Sequence, residues 1–134
     1  MLAVLAEHGF RATRPRRAIV QALCEADAPL TLSALHRAAR ARYPKTGLAT
    51  LYRTLEVLER CGLVHRIQLN GESYLMACAD QSLHYHLVCV KCHKVVEVHA
   101  PQAEEWLGAL ARQHGFTMSA APIEVRGVCA ACRT

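Results

Sequence analysis

A chain of 134 residues with 52% hydrophobic but only 5% aromatic content can bury one moderate core or two small ones, and no apolar run approaches the roughly 18 residues that a membrane span requires. The charge is one-sided: residues 1–78 hold 11 Lys and Arg against 6 Asp and Glu, residues 79–134 hold 5 against 5, so the whole net charge of +5 lies in the N-terminal part, as a phosphate-binding module requires. Seven cysteines, an odd number with four of them in two CxxC pairs, argue against a disulfide framework and for metal or redox chemistry.

The first 62 residues carry apolar positions at helical spacing. The opening Met-Leu-Ala-Val-Leu-Ala-Glu-His is apolar only as far as Glu7 and has no basic leader, so it reads as the start of a helix rather than a signal peptide, and a cytoplasmic location is expected. That helix runs from about Leu2 to His8 and stops at Gly9. Thr13 caps a second helix with Pro15 in its first turn, reaching about Ala26 with Ala18, Ile19, Ala22 and Leu23 inward. After the turn Asp27-Ala-Pro29, Thr31 or Ser33 opens a third helix to Tyr43, where Pro44 blocks continuation. Thr46 opens a fourth, with Leu48, Leu51, Leu55 and Leu58 on one face and Gly62 as its stop.

Past Gly62 the period changes to two. Residues 63–69 and 72–78 flank Asn70-Gly71, a strong hairpin signal. Three helices and a hairpin predict a winged helix-turn-helix. A polar linker, Ala79-Asp-Gln-Ser82, leads to a second lobe with strands near 85–90 and 94–99, a helix from about Gln102 to His114 closed by Gly115, and a last strand near 122–128. The expected fold is therefore α+β, a winged-helix DNA-binding domain over 1–78, a hinge over 79–83, and a small α/β domain over 84–134.

Cys89-Val-Lys-Cys92 and Cys129-Ala-Ala-Cys132 are separated by 36 residues, and each follows a β-like run rather than opening a helix, as a thioredoxin-like dithiol would. Two such knuckles make one closed, tetrahedral, structural zinc site of four cysteines. The remaining His and Cys residues, with His84-Tyr-His86 foremost, are numerous enough for a second site.

Gly47-Leu-Ala-Thr-Leu-Tyr-Arg-Thr-Leu55 before Gly62-Leu-Val, then His84-Tyr-His-Leu-Val-Cys-Val-Lys-Cys92 and the closing CxxC, resemble the ferric-uptake-regulator family of metal-responsive repressors over essentially the whole chain. The resemblance implies a homodimer whose winged helices bind a palindromic double-stranded operator and whose C-terminal lobe dimerises and holds metal. Cys78 and His65 make the chain most similar to the zinc-uptake-regulator branch. Iron sensors of the family carry a His near the start of the third helix, where this chain reads Ala28-Pro-Leu-Thr31. A third metal site of some members is expected to be absent: Leu83, Tyr85 and Ala121 stand at its histidine positions and Glu104 alone matches.

The regulatory site is expected to comprise His65, Cys78, His84 and His86, with Glu97 as alternate ligand or as support behind the ligands. A mixed set of three imidazole nitrogens and one thiolate sulfur suits zinc, giving two Zn2+ per chain. His36, His93, His99 and His114 are expected at the surface, His8 shows no partner pattern, and Cys24 and Cys61 are expected as core or half-buried thiols. For DNA, Tyr52 and Arg53 on the fourth helix are expected to read the major groove and Thr50 to touch phosphate; Arg16 and Arg17 neutralise phosphates and Arg11 reaches a minor groove. The reading is a zinc-responsive repressor of zinc-uptake genes, with no small organic substrate and no membrane partner. An iron- or peroxide-responsive regulator of the same family is the nearer alternative. A zinc hydrolase or deaminase is the remote one, since neither HExxH nor HxE with PCxxC occurs.

Overall fold

The computed structural model describes residues 1–78, 83–119 and 122–133, and the chain divides into two units, Met1–Asp80 and Gln81–Thr134. Residues 79–82 of the expected hinge, and Ala121 of the third metal site, lie outside the described residues. Among the described residues no helix is long and apolar enough to cross a membrane.

In the first unit the helices are α1 (Leu2–Glu7), α2 (Arg14–Cys24), α3 (Leu32–Arg42) and α4 (Leu48–Arg60). Pro15, with its fixed φ, sits in the first turn of α2. Thr31 caps α3, its Oγ1 accepting the Ala34 N–H at 3.1 Å. Leu5, Ile19, Leu35, Leu51, Leu55 and Leu58 are all at most 1% exposed and form one core shared by the four helices. The wing consists of β2 (Val64–Leu69) and β3 (Glu72–Ala77), antiparallel and in register from Val64↔Ala77 to Leu69↔Glu72. Asn70 and Gly71 join them with positive φ, 52° and 80°, as a type I′ turn demands.

Several expectations need correction here. A short strand, β1 (Leu30–Thr31), lies between α2 and α3 and pairs with β3 through Leu30↔Leu75, giving the sheet order β1-β3-β2. Thr46 does not open α4: it is 2% exposed, its hydroxyl donates to the Tyr43 carbonyl at 2.7 Å, and its own carbonyl accepts the Nε2–H of His36 at 2.9 Å. Thr46 thus closes the α3–α4 loop, Gly47 takes the cap, and Leu48 falls on the first helical position with 51% of its surface exposed, off the buried stripe. His36 is accordingly half-buried, and Cys24, at the end of α2, is exposed rather than packed inside.

The second unit is built on β4 (Tyr85–Cys89), with β5 (Val95–Val98) antiparallel on one side and β6 (Ile123–Gly127) parallel on the other. A parallel neighbour needs a crossover, and α5 (Pro101–Gln113) supplies it. The register puts Leu87 opposite both Val96 and Val125, each at least 40% exposed, so one sheet face carries an apolar row. His86 and Val88 point to the other face. Nothing in α5 is buried, and its Trp106 is 65% exposed. The architecture is α+β, with a winged helix-turn-helix first and a small α/β unit after it, as the sequence predicts.

Candidate metal centre

Two tight turns carry the four CxxC thiols. Cys89 is the last residue of β4. After it the chain reverses through His93, whose φ is 63° and whose N–H donates to the Cys89 carbonyl at 3.0 Å, and the Cys89 N–H donates to the Lys94 carbonyl at 2.9 Å. The second turn begins where β6 ends. The Val90 N–H donates to the Gly127 carbonyl at 2.9 Å, and a single 3-10 turn, Ala130–Cys132, brings the Cys132 N–H to the Cys129 carbonyl at 2.9 Å. The Lys91 ammonium, reaching the Cys132 carbonyl at 3.0 Å, ties one knuckle to the other.

All four sulfurs lie within 4.8 Å of one another, and Cys92 Sγ is 3.7 Å from Cys129 Sγ. A tetrahedral ion with a bond of about 2.3 Å to sulfur sets its sulfurs about 3.8 Å apart, so the cluster has the dimensions of a four-thiolate zinc site with no position left for water. The thiols are not equivalent. The backbone N–H of Cys129 stands 3.4 Å from Cys89 Sγ, and this donor, with further N–H groups of the first knuckle, lowers the Cys89 thiol to about 6. Cys132 moves the other way, to about 12, because its S–H is held by the sulfurs of Cys129 and Cys92.

A second group of candidates stands at the start of β4, His84 just before the strand and His86 within it. His84 and His86 are 1% and 0% exposed, with ring centroids 4.9 Å apart. Residues two apart on a strand share a face. The same face brings Glu97 of β5 and Glu124 of β6 into register with His86, one on each side. His99 is exposed, as expected, yet its ring centroid is 6.1 Å from that of His84 and its Nε2 is 3.8 Å from Glu97 Oε1. Glu124 escaped the sequence reading because the parallel register of β6 leaves no trace in local spacing. In the first unit, Cys78 is buried just past β3, its N–H donating to the Leu63 carbonyl at 2.9 Å, while His65 is half-buried on β2 opposite Met76.

The residues expected at DNA fall on α4, on α2 and, for Arg11, on the segment before α2. Tyr52, 54% exposed, and Arg53 lie on the side of α4 away from Leu51, Leu55 and Leu58; Thr50 is half-buried and its carbonyl accepts the Thr54 hydroxyl at 2.7 Å. Arg16 and Arg17 have structural work besides. Arg16 donates to the Arg11 carbonyl at 2.9 Å with its guanidinium 4.9 Å above the Phe10 ring, and Arg17 donates to the Ala12 carbonyl at 3.0 Å. They brace the segment that presents exposed Arg11.

A cluster of four knuckle cysteines behind a winged helix agrees with comparison to known proteins: the sequence profile of the Ferric uptake regulator family matches residues 7–126. The chain belongs to this family. The matched span stops short of Cys129 and Cys132, which the fold nonetheless returns to Cys89 and Cys92. Among its relatives, the zinc uptake regulation protein of Mycobacterium tuberculosis is 37% identical over 127 residues, covering 94% of this chain and 97% of that protein. Among solved structures, the ferric uptake regulator from Francisella tularensis with iron superposes with a TM-score of 0.73 at 27% identity, covering 94% of this chain and 96% of that one. Holo XcZur gives 0.72 at 28% identity, covering 97% and 92%. Members of the Ferric uptake regulator family are transcription regulators, and the family resemblance read from the sequence stands.

Proposed function

We propose that this chain is a zinc-responsive transcriptional repressor that binds palindromic operators of zinc-uptake genes as a zinc-loaded dimer. The observation that carries this reading is the pair His84 and His86, fully buried side by side on one sheet face where a structural role would favour apolar residues. The 37% identity to a zinc uptake regulation protein over nearly the full length of both chains supports zinc as the metal.

In this reading Cys89, Cys92, Cys129 and Cys132 hold one zinc for structure, and His65, Cys78, His84 and His86 form the regulatory site, with Glu97 as alternate ligand or as support for His86. Bound zinc supplies charge and a tetrahedral set of bonds and no redox chemistry. His65 and Cys78 belong to residues 1–78, the DNA-binding domain, and His84 and His86 to residues 84–134, the dimerisation domain. A shared ligand set would hold the two in one arrangement through the hinge at 79–83. To turn a 1:99 mixture of competent and incompetent forms into 99:1, the ligand set must favour the competent form by about 5.5 kcal/mol. The row of Leu87, Val96 and Val125 is the surface assigned to a second copy of the chain. Tyr52 and Arg53 read bases, Arg11, Arg16, Arg17 and Thr50 contact the backbone or minor groove, and the protein works in the cytoplasm with no catalytic step.

Operator binding titrated against buffered free zinc, iron and manganese tests the reading. Repression-competent binding that rises with zinc at concentrations where iron and manganese are silent is the expected outcome. The rival, an iron- or peroxide-responsive regulator, uses oxygen-rich ligands; Glu97, in register with His86, is its strongest support, and a response to iron ahead of zinc would establish it.

A further inference from the structure

The outward side of α4 changes character along its length. Residues four apart share a helix face, and the exposed positions run Leu48, Ala49, Tyr52, Arg53, Glu56 and Arg60. At the C-terminal end Glu56 and Arg60 pair at 2.9 Å and cancel each other's charge. The N-terminal half is different, since Leu48 is 51% exposed and Tyr52, one turn on, 54%, with Ala49 and the cation of Arg53 alongside. A single leucine on a surface asks for no explanation, but an aliphatic and an aromatic side chain together, next to a cation, make a surface of defined chemistry. The start of the helix is also pinned. The Thr46 hydroxyl donates to the Tyr43 carbonyl at 2.7 Å and His36 Nε2 lies 2.9 Å from the Thr46 carbonyl oxygen, so a bonded turn presents Leu48 outward two residues later.

We propose that Leu48 is a further specificity-determining residue, which packs on the 5-methyl group of a thymine; the inference rests on the reading of this chain as an operator-binding repressor. Residues 1–78 hold the whole net charge of +5, so the partner of this face is anionic. The major groove of a duplex is flanked by phosphates, and the thymine methyl is the one apolar group that base pairs present on its floor. The first residues of a recognition helix are those that meet base edges. Leucine has neither donor nor acceptor, so a methyl group is what it can distinguish. Cytosine lacks that methyl and presents an amine that leucine leaves without a partner. Leu48 and Tyr52 are separated by about 6 Å along the helix axis and successive base pairs by about 3.4 Å, so the base met by Leu48 lies within about two steps of the base met by Tyr52.

The test uses the full-length, zinc-loaded protein and a duplex that it selects from random sequence. Each thymine of one half-site is replaced in turn by deoxyuridine, which removes the 5-methyl group and nothing else, and binding is followed by fluorescence anisotropy. One such replacement is expected to weaken the wild-type protein about fourfold, the worth of one buried methyl group. Leu48→Ala is expected to bind the unmodified duplex at least about fourfold less tightly, to lose nothing further at that thymine, and to bind random duplex as the wild type does. Leu48→Met, which keeps a long apolar side chain, is expected to restore the loss at uracil. A wild-type protein indifferent to every replacement, or a Leu48→Ala variant with the same uracil losses as the wild type, would overturn the proposal and leave the repressor reading intact. A wild-type protein that selects no sequence at all would overturn the repressor reading and the proposal with it.

Discussion

In the proposed regulatory site Cys78 is the side chain on which the choice of metal turns, because thiolate favours zinc over the harder ions that carboxylates suit. It is 1% exposed just beyond β3. Cys78→Ser replaces a thiolate by a neutral hydroxyl of similar size, so the core should hold while zinc affinity at the regulatory site falls. We expect operator binding to require at least about tenfold more free zinc, with the dimer and the metal of the four-cysteine site retained; an unchanged zinc midpoint would reduce Cys78 to an ordinary buried thiol. The arginines divide in a similar way. Arg53 projects from the exposed side of α4, so Arg53→Ala should cost about 1–3 kcal/mol on operator DNA and relax base preference at one position per half-site. Arg17→Ala should weaken binding to all sequences alike and flatten the salt slope by about one. Fluorescence anisotropy against specific and random duplexes at several salt concentrations separates the two effects. Equal losses on both duplexes for both variants would remove α4 from base reading.

At the level of elements, α4 shows how far periodicity carries and where it stops. Leu51, Leu55 and Leu58 repeat at helical spacing and are all buried, yet Leu48, which continues the same stripe, is 51% exposed because the helix begins only at that residue. Leu55→Ala should therefore lower the unfolding free energy by about 2–5 kcal/mol. Leu48→Ala should stay within about 0.5 kcal/mol of wild type. Denaturant unfolding monitored by circular dichroism checks both, and a large loss for Leu48→Ala would mean that the stripe extends into the loop. The hairpin was legible because Asn70-Gly71 combines a period of two with residues that tolerate positive φ. β1 was not: two residues, Leu30 and Thr31, are too few to show a period, and their state is fixed by Leu75 and Tyr74 from a strand more than 40 positions away. Thr46 misled for a related reason. A threonine before an apolar run resembles a cap, but here its hydroxyl serves the Tyr43 carbonyl behind it.

For the whole molecule, the separation of charge and of cysteines along the chain places two chemistries in two units. Residues 1–78 hold the net charge and the large apolar core, while residues 79–134 have no net charge and, among the described residues, few buried side chains besides His84, His86 and Cys89. Helix α5 buries no residue within the single chain, so in the proposed reading zinc at the four cysteines and the second copy of the chain add to what holds this unit together. The four cysteines were legible as one site from their spacing alone, since two CxxC turns admit few other chemistries; their metal-free inequality was not, because it arises from backbone N–H groups that only the folded turns aim at Cys89. These features set the order in which metal should leave. A closed thiolate site has no open edge for a chelator, whereas the proposed regulatory site, with imidazoles in its ligand set, is the softer target for one. Dialysis against a moderate chelator should therefore reduce zinc from about two ions per chain to about one, with helicity and the dimer intact. Cys92→Ser should do the reverse, releasing the closing turn at 129–132 and abolishing the dimer without altering the cooperative unfolding of the first unit. Zinc content by atomic emission, together with sedimentation velocity on the same samples, decides the point: loss of both ions at once, or of neither, would show that the two sites do not differ in the way their ligands require.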